Sequence, residues 1–319
     1  MSPDRGGGRA LLEITPGPDR SRLGAAMTAT GWWQHYGTER VTFGNGEQLH
    51  LAPPGGVPDE LDVLWWAQGW TGEALLGLGL ALDCLWRENP RLRARVVHPY
   101  LPYSRSTRRS ARSGLGARLV LSLVDAVPAV AEHVGFDLHT PEVVGFTRHP
   151  MTVLGVEEDV ALWAEGRGFD VVVAPDAGRA RTCHDLAERL GIDVEVLLKR
   201  RTGHDDRSRA VELARPALDG ARVLVLDDEL TTGETLAGAA RAAARCGATH
   251  VEGLVVRSLA SAGALDRLQA EPALAGLVTT DLTAPAAALA VEAAGGTVIP
   301  VPRAVSALRP VTTQQRSLT

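Results

Sequence analysis

Two stretches of this chain, about 160 residues apart, carry one pattern. Asp62-Val-Leu-Trp-Trp-Ala-Gln-Gly-Trp-Thr-Gly-Glu-Ala-Leu75 and Arg222-Val-Leu-Val-Leu-Asp-Asp-Glu-Leu-Thr-Thr-Gly-Glu-Thr-Leu236 each read as a strand, a short loop, Thr-Gly-Glu and a helix. Self-similarity at that spacing predicts two copies of one α/β domain, with the boundary near residues 150–168. Around both copies, short β-branched runs alternate with Ala/Leu-rich stretches, the pattern of mainly parallel sheets flanked by helices. The runs Val41–Phe43, Gln48–Leu51, Val63–Trp66, Arg95–His98, Val171–Ala174, Val194–Leu198, Val223–Leu226, Val251–Val256, Leu277–Thr279 and Val298–Pro300 read as strands. Helices are expected over Gly72–Arg87, Leu115–Val127, Val156–Gly166, Arg179–Leu190, Thr235–Cys246, Ala262–Gln269 and Ala284–Ala294. Residues 1–19 then form a disordered leader, 20–155 the first domain, 156–304 the second and 305–319 a frayed tail.

The two copies differ where chemistry would sit. Asp227 and Asp228 end the second strand, and Trp66 and Ala67 hold the matching places in the first. After the carboxylates, Thr231-Thr232-Gly233-Glu234-Thr235 opens a helix. Amides at a helix N-terminus point outward unpaired, the dipole adds positive charge, and glycine lets the backbone approach a ligand closely. That is a phosphate cradle. Carboxylates at the carboxyl edge of such a strand hold sugar hydroxyls or Mg²⁺-bound waters.

A formal charge of −5 excludes the broad basic footprint of a sequence-independent nucleic-acid binder, and no apolar run is long enough to span a bilayer. Three scattered cysteines, Cys84, Cys183 and Cys246, show no metal spacing and suggest reduced thiols in a cytoplasmic protein. Lys199 is the only lysine among 33 Lys and Arg residues, and it stands between the apolar run Val194–Leu198 and the polar stretch Arg200–Arg207. Lysine is a compact, mobile cation, able to follow a moving charge at a single oxygen.

Leu226–Thr235 resembles the ribose 5-phosphate and phosphoribosyl pyrophosphate (PRPP) motif of type I phosphoribosyltransferase folds. By itself that motif does not separate enzymes that consume PRPP from those that make it. Four further stretches resemble ribose-phosphate pyrophosphokinases, in that family's order. They are Val41–Glu47, like its Phe-x-Asp-Gly-Glu hairpin; Pro99–Arg112, like its Pro-Tyr-x-x-Tyr-x-Arg segment; Phe136–Phe146, like its Asp-Leu-His segment; and Val173–Gly178, like its Pro-Asp-x-Gly turn. The family's Lys-Arg-Arg catalytic loop falls on Lys199-Arg200-Arg201.

The resemblance implies two tandem type I phosphoribosyltransferase-like domains and Mg²⁺-dependent transfer of the diphosphoryl group of ATP to ribose 5-phosphate or a related sugar phosphate. It implies Lys199 and Arg201 as catalytic residues on a mobile loop, and Phe43, Asn45, Glu47, Arg105 and His139 around ATP. His139 and Asp176 would take the metal. Asp227, Asp228, Thr231, Thr232, Gly233 and Thr235 would hold the sugar phosphate. The family's hairpin reaches a neighbouring subunit, which implies a homo-oligomer, a dimer or hexamer. Several positions depart from the family: Ser106-Thr107 replaces Gln-Asp after Arg105, Asn45 replaces an aspartate, Arg179 a glycine and Glu234 a small residue. A PRPP-consuming phosphoribosyltransferase and a non-catalytic subunit of a synthetase remain the alternatives.

Overall fold

The computed structural model describes residues 9–15, 20–67, 71–109, 112–201, 209–213, 218–261 and 263–308. The chain divides into two units, one running up to Gly155 and taking in the chain from Ala304, the other Val156–Arg303. In chain order the first holds β1 (Arg9–Ile14), α1 (Arg22–Ala29), β2 (Trp33–His35), β3 (Glu39–Thr42), β4 (Gln48–Leu51) and β5 (Glu60–Trp65). It continues with α2 (Thr71–Glu88), β6 (Arg93–His98), α3 (Gly116–Val124), β7 (Val130–Phe136), a 3-10 turn (Pro141–Phe146) and β8 (Met151–Leu154). Six of these strands make an all-parallel sheet in the order β2-β1-β5-β6-β7-β8, while β3 and β4 pair as a separate antiparallel hairpin.

A parallel sheet covered on both faces needs strands that are apolar nearly throughout. In β5, Leu61, Val63, Leu64 and Trp65 are fully buried, and α2 lays Leu78, Leu82 and Leu85 on the sheet at helical spacing. One charge is buried among them. Asp62 lies 2.6 Å from Arg95 Nη2, 2.8 Å from Arg9 Nε and 2.6 Å from the Trp33 indole nitrogen. That one carboxylate ties β1, β2, β5 and β6 together, and removing it would strand two buried guanidinium groups.

The leader expected over 1–19 is corrected here, because Arg9–Ile14 is the strand β1, held between β2 and β5 in the sheet. Leu11, Leu12 and Ile14 are buried, and β5 and β2 pair on either side of it. Residues 1–8 and 16–19 lie outside the described residues.

The second unit runs α4 (Glu157–Ala164), β9 (Val171–Ala174), α5 (Ala180–Leu190), β10 (Asp193–Arg201), β11 (Arg209–Leu213), β12 (Arg222–Leu230) and α6 (Glu234–Arg245). It continues β13 (His250–Ser258), α7 (Ala264–Gln269), β14 (Gly276–Thr280), α8 (Pro285–Ala293) and β15 (Thr297–Ile299), and α9 (Pro302–Ala307) follows. The frayed tail expected over 305–319 is corrected at its start, since Ala304, Val305 and Leu308 are buried and Arg95 Nη2 donates to Leu308 O at 3.0 Å. Residues 309–319 lie outside the described residues.

The sheet order is β11-β10-β9-β12-β13-β14-β15, parallel except for β11. With the edge strand β11 set aside, the two sheets have one topology. β10-β9-β12-β13-β14-β15 corresponds to β2-β1-β5-β6-β7-β8, and the echoed segments of sequence are β12–α6 and β5–α2. Helix α6 lies close on its sheet because the face it presents is small. Ala237, Ala239, Ala240, Ala242 and Ala243 are buried, and Gly253 of β13 leaves room for Leu236, whose side chain a Cβ there would meet at 2.6 Å.

Candidate active site

In a doubly wound sheet the crevice forms where the strand order reverses, outside the carboxyl ends of the two strands on either side. In the second unit that point lies between β9 and β12. β9 leads outward to β10 on one side, and β12 leads to β13 on the other. Two strand–turn–helix connections meet the crevice. One is Pro175–Arg179, between β9 and α5, where Asp176 Oδ1 accepts the Gly178 amide at 2.9 Å. The other is Thr231–Gly233, between β12 and α6.

β12 carries its carboxylates to the crevice inside the sheet. The sequence ends this strand at Leu226, yet the ladder to β13 continues through Asp227↔Val255, Glu229↔Arg257 and Leu230↔Ser258. Asp228 and Glu229 are buried. Three acidic residues stay in the strand because buried Arg257 of β13 lies 3.8 Å from Glu229, and because the Asp228 amide donates to Asp227 Oδ1 at 2.9 Å. Burial and the charge of Asp228 push the Asp227 carboxyl well above the usual carboxylate range. Two crowded carboxylates like these fit a cation or a pair of sugar hydroxyls. Cys183, whose thiol burial raises to about 12, donates to Leu226 O at 3.6 Å and fastens α5 to the same strand.

The loop after β12 is a phosphate cradle in form. Gly233 has φ +79, and a Cβ there would lie 3.2 Å from Leu268 Cγ and 3.3 Å from Ala264 O, so the turn demands glycine. Among the described residues, none accepts a hydrogen bond from the amides of Thr232, Gly233, Thr235 or Leu236. Thr232 and Thr235 are exposed, and Thr231 is held by Ser261, whose amide donates to Thr231 O at 2.9 Å. Glu234 does not turn its charge on the cradle. It is exposed and lies 3.0 Å from Arg267, which also donates to Thr232 O at 2.6 Å. Arg267 is the residue that the sequence alone leaves unconnected to this loop.

Lys199 and Arg201 stand in the strand β10, a correction to the mobile loop expected for them. Their backbone pairs with β11, Lys199 opposite Val211 and Arg201 opposite Arg209. The parallel pairing of β10 with β9 ends at Val196↔Ala174, so the β10–β11 arm overshoots β9. Lys199 lies three positions further on, roughly 10 Å along the strand at about 3.3 Å per residue, beyond the strand end from which Pro175 and Asp176 depart. The stretch from Thr202 to Arg207 lies outside the described residues.

In the first unit an aromatic side chain takes the place that Asp227 holds in the second. Trp66 is fully buried there and donates its indole N–H to Glu13 Oε1 at 3.0 Å. The polar segments of this unit instead leave β6 and β7. Arg105 is exposed and His139 half-buried, and the Thr140 hydroxyl, bonded to Ser104 O at 2.7 Å, ties the two segments together. Among the described residues only Tyr103 (φ +60) and Asp137 (φ +38) are non-glycine residues with positive φ. They fall one in each segment, and backbone strain of this kind persists where the surrounding structure over-determines the geometry, most often at functional sites. Gly116 makes room for Tyr103, because a Cβ there would lie 2.8 Å from the Tyr103 Cβ. Thr140 and Gly116 were not singled out from the sequence; the Thr140-Pro141 pair opening the 3-10 turn was the available signal. Phe43, Asn45 and Glu47 lie apart, all exposed, in the turn of the β3–β4 hairpin, where Asn45 Oδ1 accepts the Glu47 amide at 3.1 Å. His139 belongs to the first unit and Asp176 to the second.

The shared strand order and the cradle at a switch point define an α/β protein of the phosphoribosyltransferase type, and the phosphoribosyl transferase domain model matches residues 161–270. A ribose-phosphate pyrophosphokinase of Aquifex aeolicus is 31% identical over 212 residues, 65% of this chain and 67% of the relative. One from Hyphomonas neptunium is 33% identical over 219 residues, 66% and 68% of the two chains. The crystal structure of phosphoribosylpyrophosphate synthetase from Mycobacterium smegmatis superposes with a TM-score of 0.77 at 22% identity, covering 94% of this chain and 99% of that one. The chain belongs to the ribose-phosphate pyrophosphokinase family, as a divergent member with two tandem type I phosphoribosyltransferase-like units.

Proposed function

We propose that this protein transfers the diphosphoryl group of ATP to the anomeric hydroxyl of ribose 5-phosphate, giving PRPP and AMP. The observation that carries the reading is the pairing, at the crevice of the second unit, of two carboxylates with a cradle whose amides find no acceptor among the described residues. In that reading the amides of Thr232, Gly233 and Thr235 take the 5-phosphate, with the Thr231, Thr232 and Thr235 hydroxyls as further donors. Asp227 and Asp228 accept hydrogen bonds from the ribose hydroxyls and set the sugar's orientation. The anomeric oxygen forms a bond to Pβ of ATP, the Pβ–O bond to the α-phosphate breaks, AMP leaves, and the hydroxyl proton goes to solvent. Such a transfer needs alignment and charge neutralisation more than covalent help. Lys199 and Arg201 supply cations to the transferring group, Arg105 and His139 hold the nucleotide, and Phe43, Asn45 and Glu47 contribute from the hairpin of a second copy in a homo-oligomer, dimer or hexamer.

The donor set fits a hard divalent cation, since Asp176 offers a carboxylate at the sheet's carboxyl edge and the crowded Asp227 and Asp228 stand at the same edge. Asp176 in the second unit and His139 in the first are each proposed as a ligand to Mg²⁺, which when bound supplies charge neutralisation at the triphosphate. Among the described residues no helix is long and apolar enough to cross a membrane. A cytoplasmic site of action is part of the proposal.

Incubation with ATP, Mg²⁺ and a panel of pentose and ketose phosphates tests it. AMP release dependent on ribose 5-phosphate is the expected result. Release only with another sugar phosphate moves the substrate but keeps the reaction, and no AMP with any sugar would overturn the reading. A second expectation concerns the nucleotide segment. Gly116→Ala forces the Tyr103 side chain aside and displaces Arg105, two residues on. The KM for ATP should rise about tenfold, with the KM for ribose 5-phosphate within twofold of its original value.

A further inference from the structure

β6 and β7 lead into the segments that carry Arg105 and His139, and one buried histidine from each strand joins a buried aspartate at the end of α3 in a single hydrogen-bonded chain. His98 Nε2 lies 2.9 Å from His133 Nδ1, and His133 Nε2 lies 2.8 Å from Asp125 Oδ1. All three residues are buried. In the ladder His98 pairs with Gly135 and Val96 with His133, so the two imidazoles are diagonal neighbours on one face of the sheet.

Asp125 follows the last turn of α3 and collects two more donors, the Arg148 amide at 2.7 Å on Oδ2 and the Thr147 hydroxyl at 3.2 Å on Oδ1. At the other end the Trp65 ring of β5 meets His98 edge-on, with centroids 5.5 Å apart. The remaining titratable groups around the chain are Glu132 on β7 and His149. The His149 ring centroid is 6.2 Å from that of His133, and His149 also lines an open cleft of about 420 Å³ with Trp86, Arg91 and Arg93.

The protons in this chain have one order. Asp125 accepts, so His133 carries its proton on Nε2 and presents a bare Nδ1. His98 then donates from Nε2, and its own Nδ1 is a buried nitrogen with no hydrogen-bond partner among the described residues. A further proton on His133 would set two N–H groups against each other, and one on His98 would place a charge in a fully buried site beside His133. Burial keeps both imidazoles below their ordinary range, His98 furthest. Packing alone does not ask for this, since Val96, Val97 and Val134 fill neighbouring places in the same strands with apolar side chains.

We propose that Asp125, His133 and His98 are positioning residues for the nucleotide half of the reaction. Their ordered chain locks the ends of β6 and β7 to each other, and so sets the spacing of the segments that carry Arg105 and His139. The Thr140–Ser104 bond passes that spacing on to the two side chains. The inference rests on the reading of those segments as the ATP site.

Asp125→Asn tests it through two readouts. The Arg148 amide holds the Asn oxygen on its own side, so the Asn NH₂ must face His133 Nε2. His133 then moves its proton to Nδ1, and His98 must follow by moving its proton to Nδ1 as well. In ¹⁵N-histidine NMR both rings should change tautomer while the protein keeps a cooperative melt. The Kd for α,β-methyleneadenosine 5′-triphosphate with Mg²⁺, an analogue whose α–β bridge cannot be cleaved, should weaken about tenfold, the scale seen when the outer partners of ligand-bearing groups are lost, with the Kd for ribose 5-phosphate within twofold. A His98 tautomer that does not respond, an unchanged analogue Kd, or equal weakening for both ligands would overturn the proposal. Wild-type protein that binds the analogue but releases no AMP defeats the reaction proposed above and leaves this test intact. Wild-type protein that does not bind the analogue defeats both.

Discussion

Lys199→Ala is expected to lower turnover by about a thousandfold, roughly 4 kcal/mol of transition-state stabilisation, with nucleotide affinity nearly unchanged. Its position argues for this. A cation that only anchored substrate would raise KM, whereas one that meets charge developing on a transferring phosphoryl group lowers kcat. Lys199 lies beyond the last residue that β10 shares with β9, on a two-stranded arm past the carboxyl edge where Asp176 begins its turn. In a chain that uses arginine for its other side-chain cations, one lysine at that place supplies, in the proposed reaction, the compact point charge that such a step needs. Lys199→Arg should therefore recover only part of the rate, because a planar fork cannot track one oxygen as it moves. Single-turnover kinetics on both variants check this, and a Lys199→Ala protein within threefold of wild-type kcat would remove Lys199 from the chemistry.

The second large effect is expected at the cradle. Gly233→Ala places a Cβ at φ +79, within 3.2 Å of Leu268 Cγ and 3.3 Å of Ala264 O. Holding a non-glycine residue in that region costs about 1–3 kcal/mol, and the loop can escape only by turning its amides away from the crevice. The KM for ribose 5-phosphate should rise at least tenfold, with the KM for ATP little changed and a melting temperature lowered by a few degrees. Glu234 offers no route to the same effect, since it pairs with Arg267 on the exposed side. Steady-state kinetics with each substrate varied in turn, together with a thermal melt, separate cradle loss from general destabilisation.

The helices and central strands were legible because local pattern determines them. Leu78, Leu82 and Leu85 stand at helical spacing, and Val171–Ala174 is an unbroken apolar run. What was not legible depends on partners distant in sequence. β12 runs past Leu226 through three acidic residues because Arg257 waits on β13. β10 absorbs Lys199 and Arg201 because β11 pairs with them, although the polar run Arg200–Arg207 reads as a loop. β7 went unread because Glu132 and His133 interrupt its apolar run, and His133 is tolerated in the sheet only through its bond to Asp125. β1 was lost beside the Gly- and Arg-rich start of the chain, whose character hid Leu11, Leu12 and Ile14.

The candidate site followed the same division. Asp227, Asp228 and the Thr231–Thr235 turn are contiguous, so sequence alone assembles that half. The proposed nucleotide half draws on segments some 34 residues apart, Arg105 to His139, and the Thr140–Ser104 bond that joins them has no sequence signature beyond a Thr-Pro pair.

³¹P NMR of the protein with ATP, Mg²⁺ and ribose 5-phosphate tests the central claim most directly, because it shows which phosphorus is attacked. The account predicts that the three ATP resonances give way to AMP and to a diphosphoryl pair attached at the anomeric carbon. Formation of ADP with a single phosphoryl group transferred, or an unchanged ATP spectrum under conditions in which both ligands bind, would contradict it.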